Sequence, residues 1–173
     1  MVIPYVLHEQ MSFWKGCINF IMRDTLCYDA AFVSVPHRQL LCACPEGILA
    51  QVTKPEIESL FGSNREVLLT QGLTLGGLKC VVVRDNLCTK NQPRTMDLRM
   101  TFSGNSGEHS NRAITVVLIN PVGLILVGQR GVQGGTLSMM AFQAARYIKD
   151  NLQHGADAVD NCQSPGCKSF PHE

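Results

Sequence analysis

Two hydrophobic periods divide this chain. From Ser12 onward, Trp14, Cys17, Ile18, Ile21 and Met22 recur at three- and four-residue spacing, which lays an apolar stripe along a helix ending near Arg23-Asp24. Residues 1–11 read as an N-terminal extension, so a helix and a folded domain are expected to open at about Met11-Ser12. Short apolar runs come next. Ala30 to Val35 and Gln39 to Cys44 flank Pro36-His37-Arg38 and predict a hairpin. Thr53-Lys54-Pro55-Glu56 predicts a helix start with a capping box: the Thr53 hydroxyl accepts from the Glu56 N–H, Glu56 reaches back, and Pro55 lies in the first turn. Gly62 is expected to end that helix, and Leu68-Leu69 to lead into the next strand.

Between Gly72 and Asp85, the run GLTLGGLKCVVVRD predicts a second hairpin closed at Gly76-Gly77, since paired glycines permit the positive φ that a tight reversal needs. Its β-branched arm, Leu78 to Val83, is expected as a central strand with Arg84 at its surface end, paired locally with Asp85 or left in solvent. Thr95 to Arg99 reads as another strand. Residues 103–112, SGNSGEHSNR, lack any period and read as a loop with little packed in it. The runs AITVVLI and VGLILVG are joined by Asn120-Pro121-Val122-Gly123, which suits a type I turn. Runs without polar alternation imply strands covered on both faces. Leu137, Met140, Ala141, Ala144 and Ile148 then predict an amphipathic helix to about Leu152, and residues 154–173, polar and broken by Gly and Pro, read as a mobile tail.

Composition narrows the class. A chain of 173 residues suffices for one domain with a real core. With 17% charged residues and a net charge of +1, no broad field favours nucleic acid or an anionic membrane as main partner. The 8 cysteines are scattered, several within apolar runs, and read as reduced intracellular thiols. No apolar run approaches the ~20 residues of a spanning helix, and no signal peptide is evident, so a soluble protein is expected. The 5 histidines lie in no nucleophilic or paired-carboxylate arrangement, so no enzyme is expected. Cys42 with Cys44, or Cys162 and Cys167 with His172, fall short of a metal site, and no cofactor is expected.

Four separated stretches, in order, then carry a resemblance: Trp14 near the start of the first helix, GLTLGGLKCVVVRD, MDLR at Met96 to Arg99, and GxxGVxGG at Gly128 to Gly135 before the terminal helix. From Trp14 to about Leu152 the chain resembles vertebrate-type profilins. The resemblance implies an α/β (α+β) fold, with a central antiparallel sheet flanked by N- and C-terminal helices on one face and short helices on the other, in a domain spanning residues 12–153. It also implies a cytoplasmic, cytoskeletal protein that binds monomeric actin, proline-rich proteins and phosphatidylinositol bisphosphate.

On the actin side the resemblance points to Val82, Arg84, Arg99, Val132 and Gly135, and by position to Gln133, Ser138, Met139, Phe142 and Gln143. At those last five the family usually has His, Asn, Lys, Tyr and Glu, and a further family Lys falls at Thr101. These changes remove charge and hydrogen-bonding groups but keep apolar contact, which implies actin binding of reduced strength. On the proline-ligand side Trp14 is kept, Cys17 and Leu41 stand where the family has Tyr and Trp, and Tyr147 replaces a His. Loss of aromatic walls implies weakened proline-ligand binding. For the phosphoinositide, Lys79, Arg84, Arg94 and Arg99 are candidates, although Asp150 stands where the family is basic.

Overall fold

The apolar runs at Ala113–Leu118 and Val122–Gly128 form the inside of a sheet, as their lack of polar alternation demands. The computed structural model describes residues 3–90, 93–101 and 111–154. Its helices are α1 (Ile3–Ile21), α2 (Lys54–Phe61), α3 (Arg65–Gln71) and α4 (Gly134–His154), with a 3-10 turn at Ile48–Gln51. Its strands are β1 (Cys27–Ser34), β2 (Gln39–Ala43), β3 (Leu73–Leu75), β4 (Leu78–Asp85), β5 (Thr95–Met100), β6 (Ala113–Leu118) and β7 (Val122–Gly128). They make one antiparallel sheet in the order β2-β1-β7-β6-β5-β4-β3.

Each face of the sheet carries its own core. On one face, α1 and α4 bury Trp14, Ile18, Leu137, Ala141 and Ile148 against Phe32, Val117, Leu124 and Leu126. On the other, the 3-10 turn, α2 and α3 bury Leu49, Ile57, Leu60 and Leu68 against Leu75, Met96, Leu98 and Ile125. Each large side chain so buried stabilises the fold by roughly 1.5 to 3 kcal/mol. The expected two-sided covering is therefore present. Among the described residues no helix is long and apolar enough to cross a membrane.

Several elements differ from the expectation. α1 begins at Ile3 rather than near Met11; Pro4 falls in its first turn, where a missing N–H costs little. A whole helix, α3, occupies Arg65–Gln71. Its seven residues are too few for the apolar period to declare itself. Gly62 does end α2, but with extended backbone (φ −72°, ψ 170°) instead of a left-handed cap. β4 lies next to the sheet edge rather than at its centre, covered on its outer side only by the three-residue β3. The reversal before β7 spans Ile119–Val122, where the Ile119 N–H donates to the Val122 carbonyl at 2.7 Å. Asn120 there has φ 46° and its bond to Pro121 is cis. Val122 is already paired with Ser34 in β7, so it cannot be a central residue of a turn at 120–123. Arg112, expected in a loose loop, is buried at 6% exposure, with its guanidinium 3.7 Å from the centre of the Tyr28 ring and an N–H donated to the Gly128 carbonyl. The rest of the predicted 103–112 loop, apart from Asn111, lies outside the described residues, as does the predicted tail from residue 155.

The capping box holds, and it reaches further than a cap. Glu56 accepts from the Thr53 N–H at 2.9 Å, and its carboxylate also accepts from Gly76 at 3.0 Å and Gly77 at 2.9 Å. Gly76 and Gly77 have φ 58° and 80°, and a Cβ at Gly76 would strike the Ile48 carbonyl. The turn thus needs glycine and is clamped by a buried carboxylate. Burial pushes the Glu56 pKa up, but the hydrogen bonds to its charged form outweigh this and hold it below the usual glutamate value. A group depressed in the folded state contributes stability above its unfolded pKa, and that contribution disappears as pH falls through the folded value. Glu56→Gln is expected to lower unfolding stability by about 1.5 to 3 kcal/mol at pH 7, with a smaller loss below pH ~4. Urea melts at both pH values check this.

Candidate functional site

The outward surface of β4 and β5 is set by a register slip. Val81 lies opposite Arg99 and Val82 opposite Leu98, but Arg84 lies opposite Asp97, so Val83 is an extra, bulged residue. Residues opposite each other share a face, and a bulge re-aims the side chains beyond it. Arg84 therefore joins Val81 and Arg99 on the face that carries α1 and α4. Val81 is 41% exposed and Val83 66%, beyond the cover of the helices. Val82, by contrast, packs into the core of the opposite face with Leu98, away from the other residues assigned to the actin side.

Arg84 pairs with neither Asp85 nor solvent alone. Its Nε and Nη2 lie 2.9 and 2.6 Å from Asp97 Oδ2. Asp85 is instead bound to Arg65 at 2.7 Å, and although burial pushes its carboxyl pKa up, the Arg65 hydrogen bond and charge and the Leu87 N–H hold it below the usual aspartate value. Arg99 donates to the Asn111 backbone and side-chain oxygens at 3.1 and 3.2 Å, on the same sheet face. The Thr101 hydroxyl donates to the Lys79 carbonyl.

α4 supplies the neighbouring surface. Gly131, at φ 87°, makes the turn into it, and Val132 packs half-buried against the core beside Gly128. Gln133 and Gly135 are exposed at the start of the helix. The period that buries Leu137, Ala141 and Ala144 turns Met139 (63%), Phe142 (40%) and Gln143 outward, with Ser138 half-buried. Arg84 and Arg99 thus lie on the sheet face that carries α4, while Val132, Gln133, Gly135, Ser138, Met139, Phe142 and Gln143 follow one another along the turn into α4 and its first half; Val82 lies on the opposite face.

On the α1 side, Trp14 takes the core position that its place on the apolar stripe predicts. Trp14 is 4% exposed, with Phe13 edge-on at 5.0 Å and Phe32 tilted at 4.7 Å from its ring. It is a core side chain. Cys17 and Leu41 are half-buried against the same core. Leu41 sits in a second bulge, between the pairs Cys42–Phe32 and Leu40–Val33. The exposed ring is Tyr147, 51% accessible, stacked on Phe20 of α1 at 6.0 Å. Phe13 and Phe20 escaped the sequence reading, although Phe13, Cys17 and Phe20 succeed one another at helical spacing on a single ridge of α1.

The basic candidates do not all gather. Lys79, Arg84 and Arg99 share the outer face, whereas Arg94 precedes β5 at its other end and lines a cavity of about 270 Å3 with Arg65, Phe61, Cys88 and Leu118. Asp150 is exposed on α4. The described cysteines are free thiols; burial pushes Cys27 and Cys80 up to about 12 and raises Cys42 and Cys44. Among the described residues no group of three or more His, Cys, Asp or Glu is placed to hold a metal ion.

This architecture has close counterparts. The profilin family model matches residues 12–152. Profilin-2 of Rattus norvegicus is 33% identical over 145 residues, covering 82% of this chain and 99% of that protein. The crystal structure of human profilin II superposes with a TM-score of 0.73 at 32% identity, covering 79% of this chain and 98% of that one. Mouse profilin IIa, solved in complex with a double repeat from the FH1 domain of mDia1, superposes at 0.72 with 32% identity, covering 80% and 97%. The chain belongs to the profilin family, whose members are actin-binding regulators that also take proline-rich ligands.

The burial of Trp14 makes a direct prediction. As the only tryptophan in the chain, it should show blue-shifted emission, resist iodide quenching and respond little to added oligoproline; a large change on titration would mean that the ring meets the ligand. Trp14→Ala should cost about 3 to 5 kcal/mol of stability, read from denaturant melts.

Proposed function

We propose that this chain binds monomeric actin and regulates its polymerisation, with weakened binding of proline-rich ligands. The observation that carries the reading is the sheet face on which bulge-turned Arg84 lies with exposed Val81 and half-buried Arg99, with exposed Met139 and Phe142 on the α4 that packs on that face, in a chain of this family. Exposed apolar side chains beside an oriented guanidinium suit a protein partner. Loss of the rim charges at Gln133, Met139 and Gln143 weakens each contact by about 0 to 1 kcal/mol and chiefly slows association.

For proline-rich ligands the balance is harsher. Cys17 and Leu41 stand where aromatic walls are expected and Trp14 is buried, leaving Tyr147 as the most exposed ring, with Phe20 half-buried against it. Buried aromatic anchors contribute about 2 kcal/mol or more each, so affinity for oligoproline is expected to be on the order of a hundredfold below that of a profilin with the full cradle. Isothermal titration with oligoproline checks this, and equal affinity would contradict it. Phosphoinositide binding is the finer part of the proposal, resting on Lys79, Arg84 and Arg99; Arg84 is already paired with Asp97, so the site is weak. Vesicles with and without the bisphosphate lipid test it, and equal binding to both would remove it.

The decisive assay for the main reading is pyrene-actin polymerisation, where the protein should slow spontaneous nucleation in a dose-dependent way. A flat response from folded protein would favour a second reading, a profilin-shaped interaction module that has lost most actin binding, for which the uncharged Gln133, Met139 and Gln143 are the supporting observation. Met139→Lys with Gln143→Glu should strengthen actin binding by up to about tenfold.

A further inference from the structure

We propose that Asp97 and Thr115 are positioning residues that hold the Arg84 guanidinium in one orientation for an acidic group of the docking partner. The inference rests on the reading of this face as a docking surface. Arg84 is on the surface, its side chain 54% exposed, whereas Asp97 is 13% exposed and Thr115 wholly buried. The three lie opposite one another on β4, β5 and β6, so the chain runs directly from the core to the surface. The Thr115 hydroxyl donates to Asp97 Oδ1 at 3.0 Å, which fixes the carboxylate; Asp97 Oδ2 then accepts from the Arg84 Nε–H at 2.9 Å and forms an ion pair with Nη2 at 2.6 Å, along one edge of the guanidinium.

The bulge at Val83 makes this pairing. Had the register of Val82 and Leu98 run on without a bulge, Val83 would lie opposite Asp97 and Arg84 opposite Met96, on the face packed by α2 and α3. With it, one edge of a planar fork is occupied by Asp97, and the Nη1 side remains to grip a carboxylate end-on. A free arginine on an edge strand loses rotamer freedom when it docks; here much of that freedom is already gone. Asp97 also offsets the Arg84 charge at a distance, so long-range steering falls to Lys79 and Arg99. The contribution of Arg84 is therefore geometric and belongs to the dissociation rate.

Thr115→Val separates orientation from charge, because the residue is buried, cannot touch a partner and carries no charge. With monomeric actin as the probe, the expected result is a dissociation rate higher by about threefold to tenfold, with the association rate and its salt dependence unchanged. The change should be absent in an Arg84→Met background, and Asp97→Asn should raise the dissociation rate in the same way. An actin-free measurement accompanies it: the Arg84 Nε–H resonance should be resolved and slowly exchanging in the wild-type protein and lost to solvent exchange in both variants. Unchanged dissociation for folded Thr115→Val, or an Arg84 signal already lost in the wild type, would overturn the proposal. Failure of the wild-type protein to bind actin would instead overturn the functional reading, and the resonance would still decide whether Arg84 is held through Thr115.

Discussion

A single buried carboxylate ties α2 to the β3–β4 hairpin. Glu56 belongs to the first turn of α2, yet it accepts from the backbone of Thr53, Gly76 and Gly77 and so closes both a helix end and a hairpin turn twenty residues away. No described cation pairs with it; its charge is held by the N–H groups of Thr53, Gly77 and Gly76 and by the Thr74 side chain, which is why its pKa stays low despite burial. The clamped turn fixes where β4 starts, and the bulge at Val83 then fixes where Arg84 points. A slip of one residue anywhere between the two would carry Val81 and Arg84 to the wrong face.

The helical layer has two outward surfaces of different make-up. On the β4–β5 and α4 side, exposed Val81, Met139 and Phe142 stand with uncharged Gln133 and Gln143. On the α1 side, Leu41 and Cys17 are half-buried and smaller than aromatic rings, Trp14 is covered by Phe13 and Phe32, and Tyr147 is the most exposed ring there, stacked against half-buried Phe20.

Much of this was legible in the sequence because it depends on local chemistry. Paired glycines required a turn, Thr53 with Glu56 required a cap, and unbroken apolar runs required a two-sided sheet. The family resemblance was also carried by short ordered stretches, and the match over residues 12–152 agrees with it. The features that escaped depend on relations between distant residues. The partner of Arg84 could not be read from its neighbour Asp85, because a bulge decides which residue on β5 it meets. The same holds for Val82, whose face is set by register with Leu98. Arg112 looked like loop polarity, but the Tyr28 ring and Gly128 carbonyl that bury it are remote in the chain. The burial of Trp14, by contrast, is what its place on the apolar stripe with Ile18 and Ile21 predicts. α3 was missed for brevity alone.

Amide hydrogen exchange of the protein, with and without monomeric actin, decides whether the outer surface of β4, β5 and the first half of α4 docks actin as proposed. New protection is expected in Leu78–Asp85, Thr95–Met100 and Gly134–Gln143, and none in α2 or α3. Unchanged exchange throughout, or protection confined to α2 and α3, would rule that docking face out.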